Sequence, residues 1–403
     1  MIRHLDVRMG INAEVPVGSL TAAGDTESSP VYFTYDPSFL YEGHGFDLAP
    51  MLPIAGSGDF TFAGVPLFLQ DAGPDRWGRH LLLRQARSVD PLARLGEVDY
   101  LRNVSDFARQ GALRLTDPVT GEVLSDTPVP SELTLDVLLD AADRAADDVD
   151  SFAPFARLLE TGTSALGGAR PKASVIDGGD LKIAKFPMPA DRWNVPAWEQ
   201  VTLDLAGRAG IERPVSRLVQ VGGRGVVVLD RFDRAGATRV PYMSFSTLLD
   251  NPDDGRRPPD YLDVVAMLRR YTDADLAEVF RRVVFGVLMN NTDDHLRNMG
   301  LLRRRERWEL APMFDVNPEP EFGRPRHTSI AGRSTHIGIA EALGKLGGAC
   351  RLTARGSLTV VAEVADATAD WREVAEASGI PEPEIARMAT VLDAVRAEVL
   401  RAR

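Results

Sequence analysis

Apolar and polar positions change their pattern three times along the chain. Residues 1–115 carry short apolar runs broken by Pro16-Val17-Gly18 and by the pairs Gly43/Gly45 and Gly56/Gly58, the punctuation of a small β-rich unit. Within it a helix is predicted to start near Asp75 and to carry Trp77, Leu81 and Leu82 on one face. The Pro-, Ser- and Asp-rich stretch 116–132 reads as a linker or surface hairpin. Leu135 to Val149 predicts an Ala/Asp-rich helix with an exposed acidic face.

From 160 to 187 the glycines Gly162, Gly167 and Gly168 precede Pro171-Lys172. Two short strands are predicted at 173–176 and 181–186, because Asp177-Gly178-Gly179-Asp180 between them is a strong turn signal. A helix follows at about 196–209, with Pro196 in its first turn and Gly210 just past its end. Val226 to Leu229 predicts a buried strand.

The second half reads as mainly helical. Thr272 and Asp275 suggest a capping box ahead of Leu276, Val279, Phe280, Val283, Val284, Val287 and Leu288. Those residues recur every three or four positions, a wide apolar stripe that predicts a well-buried helix. It should stop at Asn290-Asn291, since Asn competes with helical backbone bonds. Met299–Leu302 and Trp308–Leu310 predict a hairpin around Arg303, Arg304, Arg305 and Arg307, read as its solvated turn. The tail 382–403 predicts an amphipathic helix, and no internal repeat is found.

Composition narrows the function classes. No apolar stretch reaches the roughly 18 residues of a membrane helix, and Arg3, Asp6, Arg8 and Glu14 interrupt what would be a signal-peptide core. One cysteine, Cys350, makes neither an internal disulfide nor a zinc site, which fits a reducing, cytoplasmic setting without membrane contact. The net charge of −12 opposes non-specific nucleic-acid binding, so DNA contact is expected only through a partner or a local patch. Only four of the 46 basic residues are lysines, and three of them, Lys172, Lys182 and Lys185, fall between 172 and 185. A compact ammonium kept where arginine serves elsewhere suits a phosphate.

Phosphoryl transfer needs a backbone cradle, a lysine for the α/β-phosphates, a carboxylate at the acceptor hydroxyl, and an Asn and an Asp for magnesium. After the buried helix comes Asn291-Thr292-Asp293-Asp294-His295-Leu296-Arg297-Asn298, with the Asp-to-Asn spacing of a kinase catalytic loop at Asp293 and Asn298. Phe314-Asp315 follows the hairpin, where a magnesium-binding Asp would fall. Four of the chain's eight asparagines lie between 290 and 317. An Asx-capped turn is the bland alternative. Lys185 shares a strand face with Leu181 and Ile183, while Lys182 on the other face competes with it. Glu199 on the next helix is a candidate partner for Lys185, or a lone surface carboxylate. Gly167-Gly168-Ala169-Arg170-Pro171-Lys172 lacks P-loop spacing, yet its position before the lysine strand suits a phosphate cradle.

These stretches, with Ile183-Ala184-Lys185-Phe186-Pro187, Asp230-Arg231-Phe232-Asp233-Arg234, Pro312-Met313-Phe314-Asp315-Val316 and Gly73-Pro74-Asp75-Arg76-Trp77-Gly78-Arg79, resemble the motifs of HipA-type toxin kinases. The resemblance runs from about 60 to 330. It implies an α+β, two-lobed protein-kinase-like fold: an N-terminal subdomain over 1–115, a linker and helix over 116–150, a kinase N-lobe over 151–247 and an all-α C-terminal lobe over 248–403. It implies ATP and Mg2+ as cofactors and Ser/Thr protein-kinase activity. It also implies a HipB-like helix-turn-helix antitoxin as partner, contact with DNA only through that antitoxin, and a protein substrate such as an aminoacyl-tRNA synthetase.

By the same resemblance Asp293 would be the general base and Lys185 the phosphate lysine. Asn298 and Asp315 would be the metal ligands, residues 167–172 the phosphate cover, and Asp230, Arg231 and Phe232 the adenine hinge. His295 and Phe314 would lie near the nucleotide. The family's regulatory serine falls at Ala165 here. Ser164, with Thr163 beside it, is the candidate for self-inactivating phosphorylation. A small-molecule kinase and an antitoxin-binding subunit with little catalysis are the competing readings.

Overall fold

The computed structural model describes residues 2–401 except 11–13, 25, 27, 44, 57, 127–128, 130–133, 148–169 and 253. The chain forms two compact units: Met1–Ala190 with Val221–Gly223 and Val228–Met243, and Asp191–Gln220 with Arg224–Val227 and Ser244–Arg403.

The first unit opens with a fully antiparallel five-stranded sheet. Its strands are β1 (Arg3–Gly10), β2 (Glu14–Ala22), β3 (Pro30–Tyr35), β4 (Asp59–Ala63) and β5 (Leu113–Thr116), in the order β4-β3-β2-β1-β5. Alternation makes it one-sided: Leu5, Val7 and Met9 of β1 and Val31, Phe33 and Tyr35 of β3 are buried, and their neighbours face outward. Gly18 is obligatory in β2, because a Cβ there would come within 2.3 Å of the Thr34 carbonyl oxygen. The helix expected near Asp75 spans Arg76–Val89, with Asp75 as its N-cap and Trp77, Leu81 and Leu82 buried. The 116–132 stretch begins as a surface hairpin in which Thr116 bridges Val123. The Ala/Asp-rich helix spans Leu135–Asp147.

Strands β6 (Lys172–Asp177) and β7 (Asp180–Lys185) form the expected antiparallel hairpin. Its turn residues Gly178 and Gly179 have φ of 63° and 90°. Positive φ at both turn positions matches the strands' twist and explains the glycine pair. β8 (Ser216–Val221) and β9 (Arg224–Asp230) follow, and β9 is divided between the units, its last three residues belonging with the first.

The second unit is dominated by helices over Val195–Arg208, Tyr261–Tyr271, Leu276–Leu288, Ile339–Ala349, Ala354–Ala367 and Glu382–Leu400. The expected all-α lobe is corrected by a hairpin of Gly300–Arg304 and Arg307–Leu310. Its tight turn has Arg305 and Glu306 at φ of 48° and 65°. The expected capping box is corrected as well. Thr272 caps the C-terminus of Tyr261–Tyr271, and Asp275 alone caps the next helix through Ala277 N–H. Among the described residues no helix is long and apolar enough to cross a membrane.

Candidate active site

In the first unit the β-register assigns the three clustered lysines to different jobs. Lys172 lies opposite Lys185, so these two share a face, whereas Lys182 opposite Val175 lies on the other. Lys182 Nζ donates to Asp230 Oδ1 at 2.6 Å. The competing candidate thus has a carboxylate of its own, and the acid expected at the adenine hinge is its acceptor. Lys172 Nζ donates to Asp75 Oδ2 at 2.9 Å, with side chains only 4% and 6% exposed. Asp75 Oδ1 meanwhile accepts from Gly78 N–H to cap its helix. The ammonium expected over the phosphates is therefore held, buried, by the N-terminal signature motif. Lys185 is half-buried at the end of β7, and Arg170 and Pro171 precede β6. Ser164, Gly167, Gly168 and Ala169 lie outside the described residues.

The motif Asp230–Arg234, expected as the adenine hinge, forms a buried network. Arg231 is buried and turns back: it donates from Nε and a terminal nitrogen to Asp233, both at 2.7 Å, and to the carbonyls of Ala108 and Arg109. Arg234 and the Gly111 N–H also donate to Asp233. Phe232 stacks at a tilt on Tyr242, ring centroids 6.1 Å apart. Burial pushes the Asp233 carboxyl up, but Arg231 and Arg234 outweigh it and hold it well below the usual carboxylate range. A carboxyl depressed in the folded state adds stability that is complete above its unfolded value of about 3.9 and disappears as pH falls through the folded value. Asp233→Asn is expected to flatten the acid side of the stability profile below about pH 4. Urea midpoints measured from pH 2 to 6 check this, and an unchanged acid limb contradicts it.

In the second unit the Leu276–Leu288 helix ends in a Schellman motif. Asn290, at φ 47°, donates to Val287 O, and Asn291 N–H donates to Gly286 O at 2.8 Å. Asn tolerates this left-handed position, which is why the helix stops there. The loop that follows alternates. Asn291 and Thr292 are buried, Asp293 is 64% exposed, Asp294 is buried, and His295 leads into a 3-10 turn at Leu296–Asn298. Asn298 is buried and donates its Nδ2 to the Asp293 carbonyl at 2.9 Å. A carbonyl only accepts, so this bond fixes the amide with Oδ1 as the remaining acceptor.

The segment carrying Asp315 is held in the same region by four links. Arg282, buried inside the long helix, donates to Ala311 O at 2.5 Å, and Met313 N–H donates to Glu212 O. Across the hairpin Ala311 N–H pairs with Gly300 O, so Asn298 and Asp315 leave the same end of it. Asn290 and Glu319 then exchange two bonds, Nδ2 to Glu319 O at 2.6 Å and Glu319 N–H to Asn290 O at 3.1 Å. Asp315 itself sits at φ 54°, a conformation costing a non-glycine residue about 1–2 kcal/mol and concentrated at functional sites. Phe314 beside it is half-buried. Glu199 is 2% exposed on the Val195–Arg208 helix, which excludes the lone surface carboxylate.

Several participants left no signal in the sequence. Asp294 Oδ2 receives Arg326 Nε at 3.1 Å, a terminal Arg326 nitrogen at 2.6 Å and the Tyr261 hydroxyl at 3.1 Å. Its Oδ1 and carbonyl receive Thr328 N–H and Oγ1. Burial, with the Asp294 charge beside it, pushes the Tyr261 hydroxyl well above its ordinary value and keeps it a donor. His327 Nε2 stands 3.5 Å from Asp293 Oδ1.

The strands of the first unit and the helices of the second make this a mixed α/β protein, with one exposed and one buried acid side by side on the loop after the Leu276–Leu288 helix. Residues 164–398 match the HipA-like C-terminal domain and residues 7–103 the HipA N-terminal domain. The chain belongs to the HipA family. A Shewanella oneidensis HipA, solved in complex with HipB and operator DNA, superposes with a TM-score of 0.67 at 15% identity, covering 98% of this chain and 97% of that one, and so shares its fold. The Helicobacter pylori proinflammatory kinase CtkA gives a TM-score of 0.40 at 13% identity, over 59% of this chain and 93% of its own. A Haemophilus influenzae protein named "Putative kinase" is 26% identical over 144 residues, which span 31% of this chain and only 42% of that relative.

Proposed function

We propose that this chain is an ATP-dependent kinase acting on a serine or threonine hydroxyl of a protein, the toxin of a pair whose antitoxin is a HipB-like helix-turn-helix protein. The observation that supports the reading is that the segments carrying Asn298 and Asp315 leave the same end of a hairpin, through the Gly300–Ala311 link, with Asn298 bonded to the Asp293 carbonyl and Asn290 tied to Glu319. In the proposed step the acceptor oxygen bonds to the γ-phosphorus, the β–γ bridging bond breaks, ADP leaves, and the acceptor's proton passes to Asp293. Lys185 supplies a point charge to the α/β-phosphates.

The donor set suits magnesium. Among the described residues no group of three or more His, Cys, Asp or Glu side chains forms a metal cage, whereas Mg2+ prefers one or two oxygen ligands plus substrate phosphates. Asn298 Oδ1 and the Asp315 carboxylate provide those ligands. Among the described residues the buried Asn291 Oδ1 and Asn317 Oδ1, in the same two segments, have no hydrogen-bond partner, which leaves two further oxygen acceptors there. When bound, the ion neutralises charge on the transferring phosphoryl group. The fold shared with the HipB- and operator-bound HipA supports the antitoxin partner and indirect contact with DNA. The single buried Cys350 suits a cytoplasmic setting.

The test is γ-labelled Mg-ATP incubated with the full chain and a cell extract. Label is expected on protein serine or threonine, and Lys185→Met is expected to raise the KM for ATP about 10–100-fold, the worth of one charge-assisted bond. Label appearing only on small molecules selects the small-molecule kinase. No transfer at all ends the kinase reading.

A further inference from the structure

Arg326, His327 and Thr328 run beside Thr292, Asp293 and Asp294. Arg326 and Thr328 are buried and grip Asp294, while the His327 N–H donates to Thr292 O at 3.0 Å. Downstream the segment is fastened again. Asp260, the cap of Tyr261–Tyr271, accepts from Ser329 Oγ at 2.6 Å and from Gly332 N–H at 2.7 Å, and Tyr261 N–H donates to Ser329 O. Between these anchors alternation leaves His327 the only side chain of the three that faces outward, 52% exposed, on the side where Asp293 is 64% exposed. Its Nε2 lies 3.5 Å from Asp293 Oδ1, and the His295 ring packs edge-on against it with centroids 6.0 Å apart.

We infer that His327 is a positioning residue for Asp293, an inference that rests on the kinase reading given above. An exposed aspartate samples several rotamers, whereas a general base has to face one hydroxyl. A ring N–H on Oδ1 selects one rotamer and leaves Oδ2 for the acceptor. The separation of 3.5 Å is long for a hydrogen bond, as catalytic contacts commonly are before substrate binds. Five bonds to Thr292 and Asp294 hold the two segments together, so a side-chain adjustment alone closes the gap.

The experiment uses the full chain, Mg-ATP and ADP release with water as acceptor, together with the Kd of a non-hydrolysable ATP analogue. His327→Ala is expected to lower kcat about tenfold with the analogue's Kd within about twofold, as a positioning loss requires. His327→Gln, which keeps an N–H donor, is expected to restore most of the rate. In an Asp293→Asn background His327→Ala is expected to cost nothing further, because the two residues act as one unit. Equal losses in both backgrounds, or a Kd that collapses with kcat, overturn the proposal. Imidazole nitrogen NMR reads the contact without turnover: the His327 signals should shift on Asp293→Asn, and unmoved signals overturn the proposal. A chain that binds no nucleotide, with the His327 signals still responding, overturns the kinase reading instead of the contact.

Discussion

Asp293→Asn is expected to lower phosphoryl transfer about 10²–10⁴-fold, the range for removing a positioned general base, with no measurable change in unfolding midpoint. The side chain is 64% exposed and stands 3.5 Å from the His327 ring, an arrangement with little to contribute to stability. The loop does not depend on it either: Asn298 bonds the Asp293 backbone carbonyl, which the substitution leaves in place. The amide is nearly isosteric but has no basic oxygen pair to take a proton. Labelled Mg-ATP with the wild-type chain and the variant, beside thermal unfolding of both, separates the two effects. Retained transfer removes Asp293 from its proposed role. A large loss of stability shows that its part is structural.

How legible was this arrangement in the sequence? The glycine turn between β6 and β7 and the apolar stripe of Leu276–Leu288 follow from local rules of period and turn chemistry, and each is found within a residue or two of its expected place, whereas residues 1–115 read only as a β-rich unit, without the bounds of β1 or β3. The order of the candidate loops was also readable, because an Asp-to-Asn spacing after a helix is a local pattern. What stayed hidden is long-range pairing. Nothing near Lys172 announces that its ammonium bonds a helix cap 97 residues earlier. Nothing near Arg231 announces that its guanidinium turns back to the carbonyls of Ala108 and Arg109. In the sequence Thr272 and Asp275 looked like partners across one helix start, and only the hydrogen bonds show that Thr272 ends the preceding helix. His327 lies 34 residues beyond Asp293, and only the folded backbone makes them neighbours.

The next acid along should behave in the opposite way. Asp294→Asn is expected to destabilise the protein by about 3–5 kcal/mol, the cost of removing one partner from a buried ion pair. Asp294 and Arg326 are 5% and 6% exposed, and the carboxylate takes two bonds from the guanidinium, one from Tyr261 and one from Thr328 N–H. An amide in its place leaves Arg326 charged and dehydrated, and its NH2 group faces donors it cannot accept from. The loss should extend beyond the immediate pair, since the same carboxylate fastens the segment carrying His327 to the loop carrying Asp293. Transfer activity is therefore expected to fall too, but as a consequence of loosened geometry, and lower temperature should recover part of it. An Arg326→Met/Asp294→Leu pair removes both charges and tests the origin of the penalty. If uncompensated charge is the cause, the double substitution is more stable than Asp294→Asn alone, as charge-to-apolar replacements of buried pairs commonly are. Chemical denaturation of the three proteins decides it: a double variant no better than the single one makes shape and hydrogen bonding, not charge, the source of the loss.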